Sequence, residues 1–269
     1  MGVHQRAGAN LNKTYFEYVP LLGGLFPSDK VTQEAIKAAR ASVGAIQTST
    51  FEGDRGESKS AQALKILAEK GITPVRLDGT LTGATHYAKD LGDGKPPLDK
   101  VIAELTDGDQ KLVIATPLGN DAALALVRKL AHATPGEHVT VNLFATYDEG
   151  QDGRMYTNHG CSLRRVVDGK SEEIKSEAEN KRAREIEKAA REAMKAAGIN
   201  DREVISKAVR NKGVEFGKEI LVEVKARFKS DATVVAADDP SDASNADDAM
   251  TFDASDAMPR SSAARQAMA

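Results

Sequence analysis

Residues 53–60 read GDRGESKS and come close to a phosphate cradle. The pattern G-x-x-x-x-G-K-[ST] wraps backbone N–H groups around phosphates, and its Lys and Ser/Thr reach the outer phosphates and magnesium. Gly53, Lys59 and Ser60 are in register, and the helix-like run AQALKILAEKG follows at once. Ser58 stands where the second glycine is required, so a side chain crowds the place where the backbone must wrap. A second constellation is His159-Gly-Cys161. On a strand, residues two apart share a face, which makes a thiolate–imidazole pair conceivable. No third group that would orient the imidazole is visible, and a buried structural cysteine fits as well. His86, His132, His138 and His159 have no metal-ligand spacing, and the many carboxylates form no spacing that selects acid–base chemistry.

The third constellation is dispersed. Tyr87, Phe144, Tyr147 and Tyr156 supply rings, and Arg76, Lys89, Lys111, Arg154, Arg164 and Arg165 supply cations. A groove for a single nucleic-acid strand needs cations along the phosphates and rings on which bases stack, each stacked base contributing about 1–3 kcal/mol. Phe144 falls on the polar phase of its segment, which marks it as an outer-face ring. The competing reading of each ring is that it fills or rims a core.

The elements that must carry these residues follow from periodicity. The spacing predicts a short extended piece at 15–19, a helix from a Ser28-Asp29 cap to about Ser42 with Val31, Ile36 and Ala39 as its apolar positions, and a helix at Ser60–Lys70 stopped by Gly71. From residue 72 the pattern changes to period two. Val75, Leu77 and Leu81, with Tyr87 further along the same phase, alternate with Arg76, Asp78, Thr80, Thr82 and His86, which describes a long half-buried strand. A second strand spans Lys100–Thr106, Asp107-Gly108 signals a hairpin, and KLVIAT at 111–116 is the third. Asn120 or Asp121 caps a helix to about Ala131, and strands near 139–145 and 155–167 follow. Three strands, one helix and two strands is the order of an OB-fold, a five-stranded Greek-key barrel, and a parallel α/β sheet would place a helix between successive strands. The expected fold class is therefore α+β: a five-stranded OB-like antiparallel barrel over 71–169, with a mixed N-terminal extension over 1–70 and C-terminal helices. The region 170–230 is charged and helical, and Ile220, Val222, Val224 and Phe228 fit either helix or strand.

Composition narrows the classes. Aromatic residues are only 4% with no Trp, so the core must be aliphatic. The single cysteine excludes an intrachain disulfide or a thiolate zinc site and fits a reducing, cytosolic setting. The start, MGVHQRAGANLNK, has no apolar signal region, Arg6 is a poor match to a myristoylation motif, and no run of 18 apolar residues occurs. Charge is divided unevenly: eight Asp against two Arg give residues 231–269 a net −6, and the chain total of −3 leaves +3 for the remainder. The composition of residues 231–269, rich in Ala, Asp and Ser without apolar period, predicts a disordered acidic tail. Within 71–169 there are 13 acidic and 10 basic residues, so any nucleic-acid contact must use one face, or the helical region, which holds 16 Lys/Arg against 12 Asp/Glu.

The segments PVRLDGTLTGATHYAK, LDKVIAELTDGDQKLVIATPLGNDAALALVRKL and GEHVTVNLFATYDEGQDGRMYTNHGCSLRRVVDGK resemble bacteriophage single-stranded-DNA-binding-like proteins, over about 100 of the 269 residues. The resemblance lies in the third strand, the following helix, the fourth strand and a last strand ending in DGK. It implies a non-catalytic OB-fold protein of phage DNA replication or recombination in the host cytoplasm, with no cofactor and no metal. It further implies single-stranded DNA as partner, held by Arg76, Tyr87, Lys89, Lys111, Phe144, Tyr147, Arg154, Tyr156, Arg164 and Arg165. An acidic tail that docks replication or recombination proteins, and self-association, are also part of what it implies. Such tails end on an acidic patch and a terminal Phe, whereas here Phe252 is internal and the end reads PRSSAARQAMA. Two other classes stay open. One is a phage scaffold or assembly protein. The other is a helicase-like nucleotide enzyme, suggested by the near P-loop and by LKILAEKGITPVRLDGTLTG, but no magnesium-binding strand end and no arginine finger accompany it.

Overall fold

The computed structural model describes residues 12–44, 58–92, 94–149, 153, 155–167 and 169–231. The tail beyond 231, Arg154 and residues 53–57 of the near P-loop lie outside them. Strand β1 (Asn12–Val19) leads through a 3₁₀ turn (Pro20–Leu22) into β2 (Gly24–Pro27), then α1 (Lys30–Val43) and α2 (Lys59–Glu69). The period-two region forms β3 (Leu77–Lys89), β4 (Leu98–Asp107) and β5 (Gln110–Pro117), followed by α3 (Asp121–Leu130), β6 (His138–Glu149) and β7 (Met155–Val167). A short β8 (Lys170–Glu173) and two long helices, α4 (Glu177–Ala196) and α5 (Arg202–Asp231), complete the order. Ile220–Phe228, which fit helix or strand, belong to α5.

Caps explain several boundaries. Asp29 accepts from the Thr32 amide at 2.9 Å to start α1, and Asn120 accepts from the Ala123 amide at 2.7 Å to start α3. Ser58 accepts from the Ala61 amide at 3.0 Å to start α2. Ser60, the residue a P-loop would offer to magnesium, is buried and donates to the Leu21 carbonyl at 2.9 Å. In α1, Thr32, Ile36 and Ala39 point inward, and the apolar Val31 is 73% exposed because the buried stripe runs one residue further along.

All eight strands form one sheet in the order β2-β1-β5-β4-β3-β6-β7-β8, and β2 also meets β6 through Gly24↔Phe144. The expectation of five antiparallel strands is corrected in two ways. The described residues form eight strands, and β1 lies parallel to β5 while the other pairs are antiparallel. Closing β5-β4-β3-β6-β7 alone would require β5 to meet β7, but β1 occupies that edge of β5. Residues from the N-terminal 70 thus supply two strands of the same sheet.

Two apolar clusters hold the elements. The larger joins Phe16, Leu81, Val101, Leu105, Ile114, Val141 and Leu163 of the sheet to Leu126 and Leu130 of α3 and Phe216, Ile220 and Val224 of α5. The smaller packs Ile36 of α1 and Ala63 and Leu67 of α2 on Val19 and Phe26. Burying one such Leu, Ile or Phe contributes about 1.5–3 kcal/mol. Gly213 and Gly217 of α5 admit Leu124 of α3: a Cβ at 217 would sit 3.0 Å from its Cδ2. No helix among the described residues is long and apolar enough to cross a membrane.

Candidate nucleic-acid interface

One extra residue in β3 builds this face. Leu81 pairs with Leu105, yet Gly83 pairs with Glu104, so Thr82 is inserted against a single step on β4. A bulge of this kind reverses which side the following residues occupy. Leu77, Gly79 and Leu81 are buried, and beyond the bulge Ala84 continues the inward row. Tyr87, read as sharing the phase of Leu77 and Leu81, is thereby turned to the outer side with Thr85 and Lys89. His86, read on the polar phase, is turned to the side of Asp99, to which it bonds at 2.6 Å.

Residues opposite one another on adjacent strands share a side of the sheet. Tyr87 lies opposite Lys100, and Lys100 opposite Pro117. Gly83, Glu104, Val113 and Tyr15 form a second crosswise row, and Thr106, Lys111 and Lys13 a third. The outer side of β3, β4, β5 and β1 therefore collects Tyr87, Tyr15, Lys89, Lys100, Lys111 and Lys13 around the half-buried Gly83, Ile102 and Ala115 and the buried Val113. Sequence reasoning found Tyr87, Lys89 and Lys111. It missed Lys13, Tyr15 and Lys100, although the alternation of Lys13, Tyr15 and Glu17 against Thr14, Phe16 and Tyr18 carried the signal.

Two carboxylates temper the charge. Glu17 lies 3.5 Å from Lys100, and Glu104 lies 2.8 Å from Lys111. Burial pushes the Glu17 carboxyl up, against the pull of Lys100 and Lys89, which places Lys89 within reach of the same spot. Asp78 of β3 is a third carboxylate on this side, engaged by His138 and Thr140, so four lysines stand against three carboxylates.

The other expected residues lie elsewhere. Phe144, Tyr156 and Arg164 share the outer row of β6 and β7 with Asn142 and Asn158. Phe144 is on the outer side as expected, but its ring covers Gly160, where a Cβ would be 2.9 Å from Cζ. Tyr156 is 47% exposed. Arg164 donates through Nε to Ser171 Oγ at 2.8 Å and through Nη2 to the Ser171 carbonyl at 3.0 Å. Tyr147 and Arg165 are on the opposite side of the same two strands, and Arg165 reaches Glu137 at 3.5 Å. Arg76 is exposed just before β3.

The histidine–cysteine pair does share a side of β7, across from Ala145 and Leu143. His159 Nδ1 is 2.7 Å from the Tyr18 hydroxyl, which also donates to the Phe144 carbonyl at 3.0 Å. Burial pushes the Cys161 thiol far up and the His159 imidazole down, so neither charged form is favoured. The described residues contain no group of three His, Cys, Asp or Glu that could hold a metal ion. Comparison with protein-family models, curated proteins and solved structures returns no match.

Proposed function

We propose that this chain is a non-catalytic single-stranded-DNA-binding protein of phage DNA replication or recombination, acting in the host cytoplasm. The observation that carries the reading is the shared outer side of β1, β3, β4 and β5, where two tyrosines and four lysines surround a strip of small and aliphatic side chains. Rings offer stacking to any base, and lysines track phosphates without selecting sequence. The succession β3, β4, β5, α3, β6, β7 supports an OB-type reading with β1 and β2 added to the sheet. In that fold the second and third strands carry much of the nucleic-acid face, and here those strands are β4 and β5. Residues 231–269, with their net −6, are read as an acidic segment that docks partner proteins.

The test is fluorescence anisotropy with an oligomer of about 30 nucleotides at about 50 mM salt, where phosphate contacts are strongest. The expected result is binding that weakens steeply with salt and prefers single strands to duplex. No signal, or equal affinity for both forms, sinks the reading.

A further inference from the structure

The described residues hold a second cationic surface beyond the sheet. On α5, Lys207, Arg210, Asn211, Val214 and Lys218 follow one another at helical spacing and therefore line one side. Lys207 and Arg210 are exposed, and neither takes part in an ion pair with a described residue. Two acids beside it are engaged: Glu215, three residues before Lys218, bonds Lys212 at 2.7 Å, and Glu219 meets Arg182 of α4 at 3.6 Å. Glu203, four residues before Lys207, lies on the stripe itself.

The stripe meets the sheet at a defined point. Lys218 Nζ is 2.9 Å from Asp99 Oδ2, and Asp99 Oδ1 is bound by His86. Asp99 adjoins Lys100 on β4 but points to the other side of the sheet, so the junction meets the Tyr87–Lys100 side only around the end of the β3–β4 pair. Lys89 is two residues beyond Tyr87. Going from Lys218 towards the N-terminus of α5, Arg210 is about 12 Å away along the axis and Lys207 about 16 Å, at a rise of about 1.5 Å per residue.

We propose that α5 continues the phosphate track of the sheet. A single strand lying across Lys13, Lys111 and Lys100 leaves past Tyr87 and Lys89, rounds the Lys218–Asp99 junction and runs along Arg210 and Lys207. This rests on the sheet-face reading above, and it sets a longer binding site than the sheet alone supplies. Its partner is the sugar–phosphate backbone of single-stranded nucleic acid, since the stripe has no ring to stack a base.

The experiment uses the full chain and two oligothymidylates, one of about 6 nucleotides and one of about 30. The double variant K207Q/R210Q removes two charges from an exposed helix surface and should leave the melting temperature unchanged. Expected are a roughly tenfold loss of affinity for the long oligomer and a salt slope smaller by about 1.4, at about 0.7 for each lost phosphate contact on a single strand. Affinity for the short oligomer should be unaltered. Unchanged affinity and slope on the long oligomer overturn the α5 track while leaving the sheet face standing, provided Y87A still weakens both oligomers. If the wild-type chain binds neither oligomer, both readings fall. A loss with K207Q/R210Q but none with Y87A supports the helix surface and overturns the sheet face.

Discussion

Tyr87 is on the outer side of the sheet because Thr82 is one residue more than β4 can match. In a purely alternating strand it would point to the core, so the bulge turns a packing residue into a stacking candidate. Y87A should leave folding intact and lower affinity for a 30-nucleotide strand by about 1–3 kcal/mol, which is roughly 5- to 150-fold in Kd by anisotropy. Glu17 gives a residue-scale prediction of opposite sign. Its carboxylate sits beside Lys100 and competes with any phosphate there. E17Q should raise affinity severalfold at neutral pH. Because burial raises the Glu17 pKa, the carboxyl protonates ahead of ordinary glutamates as pH falls, releasing Lys100. Wild-type affinity should therefore climb with acidification more steeply than that of E17Q. Parallel pH profiles of the two proteins decide this.

Elements obey tighter constraints, and two titrations there pull in opposite directions. Burial raises Glu17, so its share of stability is full below its unfolded pKa and lost as pH rises through the folded one. Asp99 is the reverse: its bonds to Lys218 and His86 outweigh desolvation and hold its pKa below the usual aspartate value. Its contribution is full above the unfolded value and is lost as pH falls through the folded one. D99N should therefore loosen α5 from β3 and β4 at neutral pH and flatten the acid limb of the stability profile, read by urea denaturation at several pH values. Gly79 tests packing instead. A Cβ there would sit 2.9 Å from the Thr106 carbonyl oxygen, a backbone atom that cannot swing aside. G79A should cost about 1–3 kcal/mol in urea unfolding. G83A should cost much less, since its nearest contact at 3.0 Å is the mobile carboxylate of Glu104. The strands from 77 to 167 were legible because half-buried strands write their period directly and Asp107-Gly108 announces a turn. Gly83 hinted at the bulge, yet glycine within a strand marks a bulge, a bend or a close approach alike. The pairing of β1 with β5 was not legible, because Thr14 and Leu112 are joined by a contact across almost a hundred residues and nothing local encodes it.

At the scale of the whole molecule, charge separation along the chain becomes a statement about competition. Residues up to 230 carry +3, and residues 231–269 carry −6. Helix α5 brings its last turns to the corner where Arg227 donates to the Leu130 and Ala133 carbonyls at 3.0 and 3.3 Å. That corner is tied to the sheet by the Gly136 amide on the Leu81 carbonyl at 2.9 Å. Thr80, next to Leu81, pairs with Thr106, and Thr106 lies opposite Lys111. The acidic segment continues the chain from the end of α5 at Asp231. A run of aspartates tethered to the same chain competes with phosphates for its lysines at a high effective concentration. Removing residues 231–269 should therefore strengthen single-strand binding at about 50 mM salt. The gain should shrink at about 300 mM, where charges separated by more than a few ångströms are screened. The same deletion in a K13Q/K111Q background should gain less, because the lysines that both polyanions seek are gone. Equal affinity of the full and shortened chains at low salt would refute the competition. A gain that persists unchanged at high salt would show that the segment acts by bulk rather than by charge.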